Sequence, residues 1–199
     1  MSSRRKLVPR LRRFGSSETG SLTVEAVLVL PLLLWVYLAS FIFFDAFRAQ
    51  SLNDKAAFAI ADAMSRETRS INAAYISSMR DIHRAMTFAR LPTKLRISVL
   101  RYDGAADRHH VVWSQARGPN LSILKDTDLT GSSGVRESIP MMSDGERIIL
   151  VEAGLPYEPI FNVGVDAITM QAITPISPRY ASQLCWDVNN DSNPTNDAC

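Results

Sequence analysis

Cysteine and histidine are scarce in this sequence, with two and three residues respectively among 199. The histidines are His83, His109 and His110. The last two are adjacent, would face opposite sides of a strand, and lack the spacing of a zinc ligand set. The sequence contains no Gly-rich phosphate loop, no Gly-x-Ser-x-Gly and no His-Glu-x-x-His. With no constellation to carry catalysis, the chain is expected not to be an enzyme. Two cysteines exclude a disulfide-dense fold, and 46% hydrophobic residues exclude a disordered chain. A formal net charge of +2 gives no case for nucleic-acid binding.

Two further absences organise the chain. No charged residue occurs from Ala26 to Phe44, a run of nineteen residues between Glu25 and Asp45. As a helix that run is about 28 Å long, close to the roughly 30 Å of a bilayer's hydrocarbon. A buried core helix of this length would show a polar stripe, and this one has none. Pro31 is tolerable near the start of such a span. Trp35, Tyr37, Phe41, Phe43 and Phe44 read as lipid or helix contacts rather than a cofactor box. The second absence is of Gly and Pro, from Leu32 to Leu91, which predicts a predominantly helical stretch.

Charge is distributed unevenly about the apolar run. The first twenty residues carry six basic side chains and one acid, a net of +5; the other 179 carry 16 and 19, a net of −3. The positive-inside bias puts the N-terminus in the cytoplasm and the chain after Asp45 outside. An ordinary secretory signal would need a shorter apolar core and small residues where Phe41, Phe43, Phe44 and Phe47 stand. Arg4-Arg5 has the look of a twin-arginine signal, but lies some twenty residues ahead of the run.

At the junction stands GSLTVEAVLVLP, Gly20 to Pro31, in which a lone acid, Glu25, sits at the lip of the apolar run. A carboxylate there needs a partner or a role; the plainer alternative is headgroup placement that complements the positive end of the helix. Leader, glycine, Glu at the fifth position beyond it and apolar span together resemble the processing site of type IV pilin-like proteins. The wording from Gly20 to about Arg66 is most similar to the TadE-like pseudopilins of the tight-adherence (Flp) pilus assembly systems. Ser21 replaces the phenylalanine of ordinary pilins. The resemblance implies that a prepilin peptidase cuts between Gly20 and Ser21. It also implies that Glu25 pairs with the new α-amino group of a neighbouring subunit during assembly. It implies as partners the membrane, the peptidase, other pilin-like subunits and the assembly platform. The protein would be single-pass in a bacterial inner membrane, with residues 1–20 a cleaved leader and 21–66 a transmembrane and stalk helix. Two other classes stand beside this reading: an uncleaved signal-anchored protein whose outer domain binds or senses a ligand, and a membrane-tethered hydrolase.

Residues 67–199 read as an extracytoplasmic α+β domain. Along the stalk, Leu52, Ala56, Ala59, Ile60 and Ala63 share one predicted inner face. A second helix fits Ile71 to Ala89, with Ile71, Tyr75, Ile82, Ala85, Met86 and Ala89 inward, His83 on its polar side and Pro92 as its stop. The period then becomes two. Strands are predicted around Leu95–Leu100, His110–Ala116, Glu146–Ala153 and Val165–Thr174, with a turn at Asp103-Gly104 and Trp113 in the core. Pro119 to Asp144, rich in Ser, Gly and Asp, reads as a long loop with room for one short helix. The expected fold is a long N-terminal helix, a second helix and a small antiparallel sheet, the α+β layout of pilin-like proteins. Outside the cytoplasm, Cys185 and Cys199 are most simply a disulfide. Asp187, Asn189, Asp191 and Asn193 alternate as in a calcium loop, but Ser192 and Ala198 replace the Gly and Glu that an EF-hand-type site requires.

Overall fold

The computed structural model describes residues 21–130, 134–161, 164–191 and 193–199. It divides into two compact units. One holds the described residues to Asp45 with Ile160–Val165; the other holds Ala46–Pro159 and Asp166–Cys199. In the first unit lies the apolar part of helix α1 (Ser21–Ser65), which contains Pro31. By length and composition α1 is capable of crossing a membrane. Its side chains from Thr23 to Tyr37 are exposed.

The second unit is α+β: the remainder of α1, helix α2 (Ala73–Met86), and strands β1 (Lys94–Asp103), β2 (Arg108–Arg117), β3 (Arg147–Tyr157) and β4 (Ile168–Ile176). The strands form one antiparallel sheet in the order β2-β1-β3-β4. Alternation of side chains gives β1 two different faces. Leu95, Ile97 and Val99 join Ile149, Val151 and Ala153 of β3, with Trp113 of β2, in one buried cluster with Ala57, Ile60, Ala61 and Met64 of α1. On the opposite face Leu100, Ile148 and Leu150 are covered by Leu124 and Leu129 of the β2–β3 connection. That connection holds a 3₁₀ turn (Asp126–Leu129) and a short helix α3 (Gly134–Glu137).

Polar groups fasten the connection to the sheet. Arg96 and Glu152 are directly opposed on β1 and β3 and pair bidentately at 2.5 and 2.6 Å. The same guanidinium donates to the Ser122 carbonyl at 3.1 Å. Ser98 and Ser114 hydroxyls bond across the strands at 2.8 Å, and Ser114 accepts the Leu124 N–H at 2.9 Å. Gly118 ends β2 at φ 124°, where a Cβ would lie 2.7 Å from the Thr93 carbonyl oxygen. The strand prolines sit where no ladder bond is lost. Pro156 lies beyond the last β1 pairing, at Gly154, and Pro175 is on the edge strand β4.

Both helices are rotated from the faces that hydrophobic periodicity predicts. On α1, Asn53, Ala56, Ala57, Ile60, Ala61 and Met64 are buried, whereas Ala59 is exposed. On α2 the buried pair is Ile76 and His83; Ile82, Ala85 and Met86 are exposed. One interaction accounts for both shifts. His83 Nε2 and Asn53 Oδ1 are hydrogen-bonded at 2.9 Å inside the domain, and Asn53 Nδ2 donates to the Met170 carbonyl of β4 at 3.3 Å. His83, read as a polar-side residue, is thus drawn inward with Asn53, its Nε2 bonded and its Nδ1 buried without a partner.

The limits of α2 are also narrower than expected. Asn72 is its N-cap, its side chain accepting the Tyr75 N–H at 3.0 Å, so Ile71 lies outside the helix. The C-terminal end comes six residues before Pro92, because the Thr87 hydroxyl bonds the His83 carbonyl at 2.8 Å and Phe88 turns to φ 52°.

Two outcomes are expected from the buried pair. Asn53→Ala strands His83 and the Met170 carbonyl and lowers stability by about 1–3 kcal/mol in urea unfolding of the solubilised protein. Burial also pushes the His83 imidazole down to about 4 from its ordinary 6.5. The unfolded chain therefore takes up the proton first. Stability is full above about pH 6.5 and is lost as pH falls towards 4, at a slope approaching about 1.4 kcal/mol per pH unit. His83→Gln, which keeps a hydrogen-bonding side chain without titrating, flattens that slope.

Candidate functional site

Glu25 is the only acid between Ser21 and Phe44, and no Lys or Arg precedes Arg48 within that helix. The structure places it in the second turn of α1, exposed. Twenty-three residues of helix separate Glu25 from Arg48, about 35 Å at 1.5 Å per residue. No cation of its own helix reaches this carboxylate. Ser21 is the first described residue of α1; Gly20 lies outside the described residues.

The other candidate lies at the C-terminus. Cys185 and Cys199 are joined, with their sulfurs 2.07 Å apart. Beside them Trp186 and Ala198 exchange both backbone hydrogen bonds, at 2.8 and 2.9 Å. Ile71 continues the arrangement: its N–H donates to the Cys185 carbonyl at 3.0 Å, and its carbonyl accepts the Asp187 N–H at 2.9 Å. The Ser70 hydroxyl bonds the Asp197 carboxylate. Leu184 is buried in the main cluster and its carbonyl accepts the Trp113 indole N–H at 2.8 Å. The segment that links α1 to α2 is therefore held by the disulfide-closed loop. Sequence reasoning found the bridge but missed Ile71 as its backbone partner, which has no signal in local pattern.

The oxygens of the proposed calcium loop are directed at the loop's own backbone. Asp187 Oδ1 accepts the Asp191 N–H at 3.2 Å, and Asp191 Oδ1 accepts the Asn193 N–H at 2.9 Å. Asn193 Oδ1 accepts from the Thr195 N–H at 3.3 Å and its hydroxyl at 2.7 Å. Asn189 is exposed. The bonds at Asp191 and Asn193 are successive Asx turns. Among the described residues no group of three or more His, Cys, Asp or Glu side chains is arranged to hold a metal ion.

His109 and His110 serve different contacts. The His109 ring lies 5.1 Å from that of Tyr102; burial, then the Arg136 charge, hold its pKa below the ordinary value. His110 Nδ1 lies 2.9 Å from Asp126 Oδ2, and Asp126 Oδ1 accepts the Val111 N–H at 2.7 Å, which pins the 3₁₀ turn to β2. A hollow of about 150 Å³ lies over Lys94, Arg96, Glu152, Gly154 and Gln171. Small-molecule sites start at about 300 Å³, and two of the charged groups in this one, Arg96 and Glu152, are already paired with each other.

Reduction of the disulfide is expected to lower stability by about 3 kcal/mol, the chain-entropy value for a loop of this length, and to speed amide exchange at Ile71 and Asp187. Millimolar calcium is expected to leave the melting temperature of the oxidised protein unchanged, since the loop oxygens are engaged. Differential scanning calorimetry with and without reductant, and with and without calcium, measures both effects.

The chain matches no known protein family, curated protein or solved structure, so the placement of its own residues carries the functional reading that follows.

Proposed function

We propose that this protein is a TadE-like pseudopilin: a single-pass inner-membrane protein acting structurally in assembly of a Flp-type pilus or related secretion apparatus. The observation that carries the reading is Glu25, an exposed acid at the lip of an uncharged run with no cation on its own helix before Arg48. A carboxylate at the edge of hydrocarbon is stabilised by a positive partner, and an unpaired one is costly. Cleavage between Gly20 and Ser21 would create an α-amino group four residues before Glu25. That amine, in a neighbouring subunit, is a partner of suitable charge and depth.

The rest of the chain is consistent with a structural role. The uncharged half of α1 supplies an apolar surface for lipid and neighbouring helices, and the outer half carries a domain locked by a disulfide. In this reading the domain is extracytoplasmic, where such a bond persists.

The N-terminal mass of the protein isolated from membranes tests the cut. The expected chain begins at Ser21; Gly20→Val leaves it uncleaved and still inserted. Recovery of only the full-length chain, in cells with an active prepilin peptidase, would overturn the reading. Glu25→Gln is expected to abolish co-purification with pilin-like partners while leaving the melting temperature of the outer domain unchanged. If Glu25 served only its helix N-terminus, the same variant would lose about 0.3–1 kcal/mol and retain its partners.

A further inference from the structure

The connection from α2 to β1 carries an apolar surface in an unusual backbone setting. α2 closes with paired hydrogen bonds, from the Phe88 N–H to the Ala85 carbonyl at 3.2 Å and from the Ala89 N–H to the Arg84 carbonyl at 3.1 Å. In this type of cap the left-handed residue is usually glycine, which has no Cβ to clash. Here it is Phe88, at φ 52°. Its ring is 78% exposed, and Met86 and Leu91 beside it are exposed as well. A bulky apolar side chain held outward from a strained position gains nothing from water.

Its neighbours say what covers it. Ala89 packs against the buried cluster of Leu155, Tyr157 and Met170, and so do Ala46 and Ala49 of α1. Ala46 directly follows Asp45, the residue that closes the uncharged run. The 86–91 connection therefore belongs to the end of the domain at which its chain passes into the apolar segment. We propose that Phe88, with Met86 and Leu91, inserts into the interfacial layer of the bilayer that α1 crosses. This inference rests on the reading of Ala26–Phe44 as a membrane span.

The chemistry of the surroundings fits lipid. Arg48, between Ala46 and Ala49, and Arg90, between Ala89 and Leu91, are exposed; side chains of this kind lay their stems on apolar surface while the guanidinium reaches phosphate. Glu158 and Asp166 follow β3 and precede β4 at the same end. Positive charge is thus not in excess there, and apolar insertion supplies the attraction. Because the span already tethers the domain, contact with the bilayer is an intramolecular event, and three side chains suffice where a free protein would need many more.

Tryptophan fluorescence of the full-length protein in lipid nanodiscs tests the proposal. Trp35, within the span, is the internal control: bromine placed deep in the acyl chains quenches it, and Trp35→Phe removes that quenching. Phe88→Trp adds an emission that shallow acyl-chain bromine is expected to abolish and that aqueous iodide is expected to spare. Leu91→Trp, where the backbone is not left-handed, gives the same readout if the first variant does not fold. Added emission quenched by iodide and untouched by bromolipid places the side chain in water and overturns the proposal. Emission spared by both quenchers assigns the surface to a protein contact, a second copy included, and overturns it equally. If Trp35 itself escapes deep bromine, the span reading fails and the proposal falls with it; quenching of Trp35 alone removes only the proposal.

Discussion

The hydrogen bond between Asn53 and His83 sets the geometry on which the α+β domain depends. It lies inside the domain, where neither side chain has water to turn to, so each needs the other. Asn53 also donates to the Met170 carbonyl, and a single side chain thereby ties α1 to α2 and to the edge strand β4. Once that bond fixes the rotation of α1, Ala56, Ala57 and Ala61 are the residues turned inward, with Ile60 and Met64 filling the space beside them. Small residues at the contact let the helix backbone approach the sheet closely. The same rotation sends Phe58 outward, 58% exposed.

The sheet has two covers built on different physics. Towards α1 and α2 the contact is mainly apolar, Trp113 included, and area removed from water supplies the stabilisation. On the other face the chain between β2 and β3 has too little regular structure to present an apolar stripe. Leu124 and Leu129 supply a short apolar contact, while the Arg96–Glu152 pair, the Ser98–Ser114 bond and the His110–Asp126 pair hold the backbone in register over it. The described residues of this connection, its 3₁₀ turn and short helix α3 included, are held to the sheet in this way.

The end of the chain closes the structure at the opposite end of α1. The Arg179 N–H donates to the Ser65 carbonyl at 2.8 Å and its guanidinium meets Asp62 at 3.2 Å, satisfying the helix C-terminus. The disulfide-closed loop then pairs with Ile71 at the start of α2. Both helices are thus held at their junction by residues more than a hundred positions away in sequence.

Much of this was legible in the sequence, because the relevant signals are local. The uncharged run from Ala26 to Phe44 marks a membrane-competent helix by length alone. The switch from period four to period two at Leu95 marks the strands, and Asp103-Gly104 marks the first hairpin. Glu25 stands out because an acid beside nineteen uncharged residues has no local reason to be there. What tertiary structure decided was everything that depends on a distant partner. Strand order β2-β1-β3-β4 is a choice among pairings that alternation cannot rank. His83 reads as a polar-side residue until Asn53 is seen to supply its partner, and the inner face of α2 was misplaced for that reason. Ile71 read as helical because its partner is the backbone around Cys185. Apolar patterning reports which residues leave water; only the folded chain decides which polar residues leave with them, because a buried hydrogen bond needs two partners and the sequence shows them one at a time.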